Sequence, residues 1–178
     1  MDKISLKPVE MVGPVPVAMV TCGSTEEDYN IITIAWTGIV NSEPPMTYIA
    51  VREPRYSYGI IKRDMEFVIN LFGEELIKAA DYCGTQSGRD VNKFKETGLT
   101  AGPAKLVRCP VIKEAPINVE CKVKEILHYP SHHVFVAEIV AIQADPGLTN
   151  KEGELDVTNA GLVCFNNDEY YGTFPLVK

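Results

Sequence analysis

Short apolar runs alternate with polar breaks along this chain, and long helical stripes are scarce. Val15 to Cys22 reads as a buried strand entered through Gly13-Pro14. Ser24 to Asp28 is a polar turn. Asn30 to Val40 reads as a second strand, Asn41 to Pro45 breaks it, and Met46 to Arg52 is a third. The proline pair suits an ordered turn between antiparallel neighbours. Ser57 is placed to cap a short helix over Tyr58 to Asp64 by accepting from backbone N–H groups. Glu66 to Phe72 alternates as a strand. Glu74 to Tyr82 is the best helical window, with acids in its first turn. Gly84 to Gly88 is a loop, and Asp90 to Glu96 a short helix ended by Gly98.

Asn118 to Leu127 alternates cleanly. That pattern sends Val119, Cys121 and Val123 to the core and Glu120, Lys122 and Lys124 to solvent. His133 to Ile142 is more uniformly apolar, which predicts a strand buried on both faces. Tyr129-Pro-Ser-His132 joins the two as a hairpin loop. After Asp145 the chain is polar except for one apolar island, Leu162-Val-Cys-Phe165, followed by Tyr170, Tyr171 and Phe174. These aromatics suggest burial against a second subunit. Strands that follow one another without long intervening helices argue for a mainly β fold, an antiparallel barrel with a few peripheral helices, and against a doubly wound sheet. The 178 residues are one domain by length, with a core over about residues 10–145 and a tail over 146–178.

A net charge of −7, with Lys and Arg scattered, removes a nucleic-acid footprint from consideration. The five cysteines, Cys22, Cys83, Cys109, Cys121 and Cys164, form no C-x-x-C pair and suit core filling with reduced thiols. The sequence has no apolar run of membrane-spanning length, and its first residues lack a signal-peptide core. The expectation is a cytoplasmic protein.

The candidate chemistry lies in three places. Asn30-Ile-Ile-Thr-Ile-Ala-Trp36 followed by Ser42-Glu-Pro-Pro45 suits a flat aromatic ligand against a strand edge. Asn30 and Thr33 offer hydrogen bonds, Ala35 permits close approach, and Trp36 offers apolar area with one N–H; the plain alternative is a barrel strand with a core tryptophan. Arg52-Glu-Pro-Arg-Tyr-Ser-Tyr58 brings Arg52, Arg55, the Ser57 hydroxyl and a helix start together, which is the chemistry of an anion site. Ser87-Gly-Arg-Asp-Val-Asn-Lys93 is a second basic segment. There Gly84 and Gly88 allow close backbone approach, and Arg89 or Lys93 can reach a phosphate. Thr21-Cys-Gly-Ser-Thr25 resembles a phosphate loop but leads into acids and a strand, so it reads as a hairpin turn. His128, His132 and His133 lie close in sequence. No carboxylate is among them, and His132 and His133 point to opposite faces, so a metal is set aside. No nucleophile–base constellation stands out, which puts any hard chemistry on a cofactor.

Read in order, these pieces resemble the flavin reductase-like family of FMN-binding split barrels, and within it the flavoredoxin-like branch. The resemblance rests on Pro16-Val-Ala-Met-Val-Thr21, Asn30 to Trp36, Ser42 to Pro45, Arg55-Tyr-Ser57, Glu66 to Asn70, Lys93-Phe94, Glu120-Cys121 and His132 to Glu138. It implies a six-stranded antiparallel split barrel, a homodimer and one FMN per subunit. By matching position, Asn30, Thr33 and Trp36 would line the isoalloxazine and ribityl side. Ser57, Arg55 and Lys93 would serve the phosphate end, and His132 and Phe165 would also touch the flavin. Ala35, Arg52 and Ser87 complete the expected cofactor-binding set. Two departures are Ala137 in place of a glycine and His133 in place of a hydroxyl residue. The implied activity is flavin-dependent oxidoreduction with NADH or NADPH as donor and a flavin or other acceptor. A non-catalytic FMN carrier between redox partner proteins, and a flavin-free binding module, are the alternatives.

Overall fold

The computed structural model describes residues 3–174 and 176. In chain order the strands are β1 (Val15–Pro16), β2 (Ala18–Cys22), β3 (Asn30–Ile34), β4 (Thr37–Ser42), β5 (Pro45–Val51), β6 (Glu66–Leu71), β7 (Ala101–Gly102), β8 (Val111–Ile112), β9 (Ile117–His128), β10 (His133–Ala144), β11 (Val163–Asn166) and β12 (Glu169–Gly172). The helices are α1 (Tyr56–Asp64), α2 (Ile77–Thr85) and α3 (Lys93–Thr97). The main sheet has seven strands in the order β3-β2-β6-β9-β10-β5-β4, with every pairing antiparallel. This is the expected mainly β barrel. The strand count exceeds the expected six because the Asn30–Val40 run is not one strand. It breaks at Ala35-Trp36, and its halves become the two edges of the sheet. There the Ala50 N–H donates to the Trp36 carbonyl, which holds the break closed.

The core fills the barrel with the inward residues of these strands: Val20, Ile49, Phe67, Cys121, Phe135 and Ala137 are fully or nearly fully buried, with Ile61 from α1 plugging one end. Side chains of this kind each stabilise the fold by about 1.5–3 kcal/mol through burial. A second cluster joins Met19, Ile31, Phe72, Ala80, Cys83 and Val163, so α2 packs on the outside of β2 and β3. Gly23, at φ +104°, makes the β2–β3 turn. A Cβ there would lie 2.4 Å from the Asp28 carbonyl oxygen, so only glycine fits. The expected hairpin turn at Thr21–Thr25 is therefore present, as is the β9–β10 hairpin through Tyr129–His132.

Three expectations fail for physical reasons. Glu120 is buried, not solvated. The segment after β7 lies over the outer face of β9, and the Glu120 carboxylate accepts from Lys105 N–H (2.8 Å), Leu106 N–H (2.6 Å) and Gln143 Nε2 (3.0 Å). Those bonds satisfy the buried carboxylate. β10 is not buried on both faces: Phe135 and Ala137 point inward, while Val134, Val136 and Val140 are half-buried and Ile142 is exposed. Ser57 is not the cap of α1. Arg55 holds that position without a side-chain bond, and Ser57 sits inside the helix accepting from Asn30 Nδ2 at 2.7 Å. Part of the tail folds onto its own chain: β11 pairs with β1 and β12, and Val163, Phe165 and Tyr170 pack beside Phe72 and Val17, while Tyr171 and Phe174 stay exposed.

Candidate functional site

β3 is an edge strand, and one side of it is open. Three cavities run along it and share walls, making a continuous groove. The first, of about 320 Å³, lies between β3, the start of α1 and the Gln86–Arg89 turn. The second, of about 200 Å³, lies over the Ala35-Trp36 break. The third, of about 350 Å³, reaches α2 and the β11–β12 hairpin. Arg55 borders all three.

The first cavity gathers Asn30, Arg52, Arg55, Ser57, Ser87 and Lys93. Its lining holds four cations, Arg52, Arg55, Arg89 and Lys93, and no carboxylate. No ion pair involves any of the four among the described residues. In a chain of net charge −7 this is a concentrated positive field. Lys93 is 4% exposed, and its ammonium donates to the carbonyls of Ile31 (2.8 Å) and Cys83 (2.7 Å). An ammonium has three N–H donors, so one is left for the cavity that Lys93 lines. Burial holds its pKa below the ordinary lysine range, and the nearby Arg55 charge pushes the same way. Burial also pushes the Cys83 thiol up to about 11, so it contributes no anion. Arg89 sits 5.5 Å from the Tyr56 ring centroid and donates to the Pro54 carbonyl at 3.0 Å. Ser87 Oγ accepts from Arg89 N–H at 3.2 Å, fixing the turn. Gly88 is forced by contact: a Cβ there would lie 2.2 Å from Asn30 Oδ1 and 2.7 Å from the Tyr56 ring. The first turn of α1, which has no side-chain cap, places Tyr56 and Ser57 along the same space.

The middle of the groove is apolar and aromatic. Trp36, 45% exposed, stacks on His132 with ring centroids 4.2 Å apart and planes 30° apart. The tryptophan is therefore not a core residue. Burial, with Arg52 adding to it, holds His132 below the usual histidine range, which favours a neutral ring. Thr33 borders the second and third cavities, and its hydroxyl donates to the Ala80 carbonyl. With its proton committed to Ala80, the Thr33 oxygen can offer the groove only an acceptor. The Asn30 amide is likewise engaged with Ser57. Phe165 lies in the third cavity with Tyr170, Asp81 and Asp168.

Every residue expected for a binding site thus lines this one groove: Asn30, Thr33, Ala35, Trp36, Arg52, Arg55, Ser57, Ser87, Lys93, His132 and Phe165. Arg89 and Gly88, read in the second basic segment as a phosphate cation and a point of close approach, line the first cavity as well. Two features were missed. Tyr56 matters through the close approach of two segments far apart in sequence. Asp81 and Tyr170 border the third cavity from elements with no local signature.

Residues 13–172 match the flavin reductase like domain family. The fold is close to flavoredoxin of Desulfovibrio vulgaris (Miyazaki F), at 28% identity with a TM-score of 0.92 over 99% of this chain and 96% of that one. Flavoredoxin from Methanosarcina acetivorans is similar at 26% identity, with a TM-score of 0.89 over 100% of this chain and 95% of that one. The reductase component of 4-nitrophenol 4-monooxygenase/4-nitrocatechol 2-monooxygenase from Rhodococcus opacus is 26% identical over 74% of this chain and 66% of its own length. No helix among the described residues is long and apolar enough to cross a membrane. The chain belongs to the flavin reductase-like family, on a split-barrel fold shared with the flavoredoxins.

Proposed function

We propose that the groove along β3 holds FMN and that the chain is an NAD(P)H-dependent oxidoreductase, passing electrons to free flavin or another acceptor. The observation that carries this reading is the first cavity, with four cations, a buried lysine at its wall and no carboxylate. A phosphate monoester brings close to two negative charges and several acceptor oxygens, and it needs such a setting. The contiguous aromatic stretch over Ala35, Trp36 and His132 suits a planar ring.

Within this reading Lys93, Arg55 and Arg89 bind the phosphate, and Ser57 and Ser87 accept or donate around it. Thr33 accepts from a ribityl hydroxyl, because its own proton is committed to Ala80. Trp36 and His132 form the wall against which the ring lies and exclude water from that side. FMN held there would supply the hydride and one-electron chemistry, and the residues named would bind and orient it. The names of the flavoredoxins and of the monooxygenase reductase component support the class of reaction.

The reading extends to a homodimer. Its support is the free edge strand β4, where Ile39 is 77% and Val40 51% exposed beside Trp36. Stopped-flow mixing of the FMN-loaded protein with NADH and NADPH tests the function. Rapid bleaching of flavin absorbance by either donor is expected. Reduction only by a ferredoxin-like protein would replace the reductase reading with that of an electron carrier.

A further inference from the structure

Two apolar surfaces of this chain have no cover of their own. The first is the N-terminal arm. Every residue from Lys3 to Pro14 is exposed, and Ile4, Leu6, Val9, Met11 and Val12 are 56–86% exposed. No helix or strand forms before Val15 among the described residues. Within the arm the Met11 N–H donates to the Val9 carbonyl at 2.9 Å, and no bond ties the arm to the barrel. Ile4 and Leu6 alternate with Lys3, Ser5 and Lys7, the period of a strand with one apolar face.

The second surface is the outer edge of β4. This strand ends the main sheet, so one side of it is unpaired among the described residues. Neighbouring side chains of a regular strand take opposite faces. Here the register against β5 shifts between Ile39 and Asn41, and both Ile39 and Val40 stay outside, at 77% and 51% exposed. Thr37 to Ser42 holds neither a charge nor a proline, two common guards of a free edge. The next residue, Glu43, is exposed and in no ion pair among the described residues. The root of the arm lies beside this edge, because β1 is in contact with β4.

We infer that the arm of one protomer crosses to a second copy of the chain and packs Ile4 and Leu6 on Ile39 and Val40 of that copy's β4. The inference rests on the homodimer reading and names the segment that joins the protomers. Residues 3–12, when extended, span up to about 33–36 Å. That is about twice the radius of gyration of about 16 Å expected for 178 residues. In a two-fold dimer joined at β4 each arm starts beside the interface, since its root touches its own β4. Charge matches as well: Lys3 and Lys7 flank the apolar pair of the arm, and Glu43 follows β4. The exchange is reciprocal, so it covers both arms and both edges and closes on two chains.

The test is sedimentation velocity over a dilution series of the full-length protein, of a chain lacking residues 1–12 and of Leu6→Asp. The full-length protein is expected to sediment as a dimer. Leu6→Asp should raise the dimer Kd by at least about tenfold, because burying one leucine side chain is worth about a decade or more. The deletion, which removes all five apolar side chains, should raise it by at least about a hundredfold. The contact itself is read by mixing a Leu6→Cys chain with a differently tagged Ile39→Cys chain under mild oxidation, with the wild-type chain as background. A disulfide joining the two tags is expected. A truncated chain that stays dimeric to the same dilution, or no link between the tags, would overturn the inference and leave the homodimer standing. A full-length protein that is monomeric throughout would overturn both.

Discussion

The two ends of the β3 groove are built by opposite means. The cationic end is fixed: Lys93 is buried and tied to two carbonyls, Ser57 is tied to Asn30, and Gly88 is pressed against the Asn30 amide. The aromatic end is open: Trp36 is nearly half exposed and is held mainly by its stack on His132. A preorganised charged pocket costs little reorganisation when an anion arrives, so it is suited to supply affinity. An open aromatic wall leaves one side of a flat ring accessible, so it is suited to supply reactivity and exchange. Binding and chemistry are thus separable in this groove, and variants at the two ends should behave differently.

The largest effect is expected at Gly88. A methyl group there collides with Asn30 and Tyr56. Overpacking of this kind costs about 1–3 kcal/mol of fold stability unless the turn and Asn30 move apart, which distorts the cationic end. Gly88→Ala should therefore lower the thermal midpoint of the flavin-free protein and weaken FMN in a fluorescence titration. Unchanged affinity would show that the cationic end is not rigid.

Lys93→Ala comes next. Charge-assisted hydrogen bonds contribute about 1.5–3 kcal/mol each, so FMN affinity should fall by about one to two decades. Riboflavin, without the phosphate, should lose less. Equal losses for both ligands would remove Lys93 from the phosphate site.

Trp36→Ala sharpens the contrast from the other side. A stacking contact contributes about 0.5–1.5 kcal/mol beyond area, so FMN and riboflavin should weaken alike, by about tenfold or less. A selective loss of FMN would merge the two ends into one.

The smallest effect is a pH dependence. Burial holds Lys93 below the ordinary lysine range in the free protein. A bound phosphate favours the ammonium and raises that value, so binding takes up protons on the alkaline side. FMN affinity should be flat near neutrality and fall with rising pH, starting below the usual lysine range. Lys93→Met should abolish that fall. A fall that persists in this variant would assign it to another group.

Much of this was legible in the sequence, for identifiable reasons. Strand alternation follows from the pleat, so β2, β5, β6, β9 and β10 were readable from Val15–Cys22, Met46–Arg52, Glu66–Phe72, Asn118–Leu127 and His133–Ile142. The groove residues were readable because hydroxyl, amide and basic groups interrupt apolar runs at Asn30, Thr33, Arg52 and Lys93. What escaped depends on distant segments. The strand break at Ala35-Trp36 depends on the Ala50 N–H of β5, and no proline between Asn30 and Val40 marks it. Glu120 looked solvent-facing because the loop carrying Lys105 and Leu106, which buries it, comes earlier in the chain with no strand pattern. The pairing of the tail with β1 has no local trace, because Val15 and its partner Phe165 lie at opposite ends of the chain.

The most direct measurement of the central claim is parallel titration of the flavin-free protein with FMN and with riboflavin, repeated in high inorganic phosphate. The account predicts that FMN binds at least about tenfold more tightly than riboflavin, as one charge-assisted bond alone provides. It also predicts that phosphate weakens FMN and leaves riboflavin almost unchanged. Equal affinities for the two flavins, or phosphate competing with neither, would contradict it.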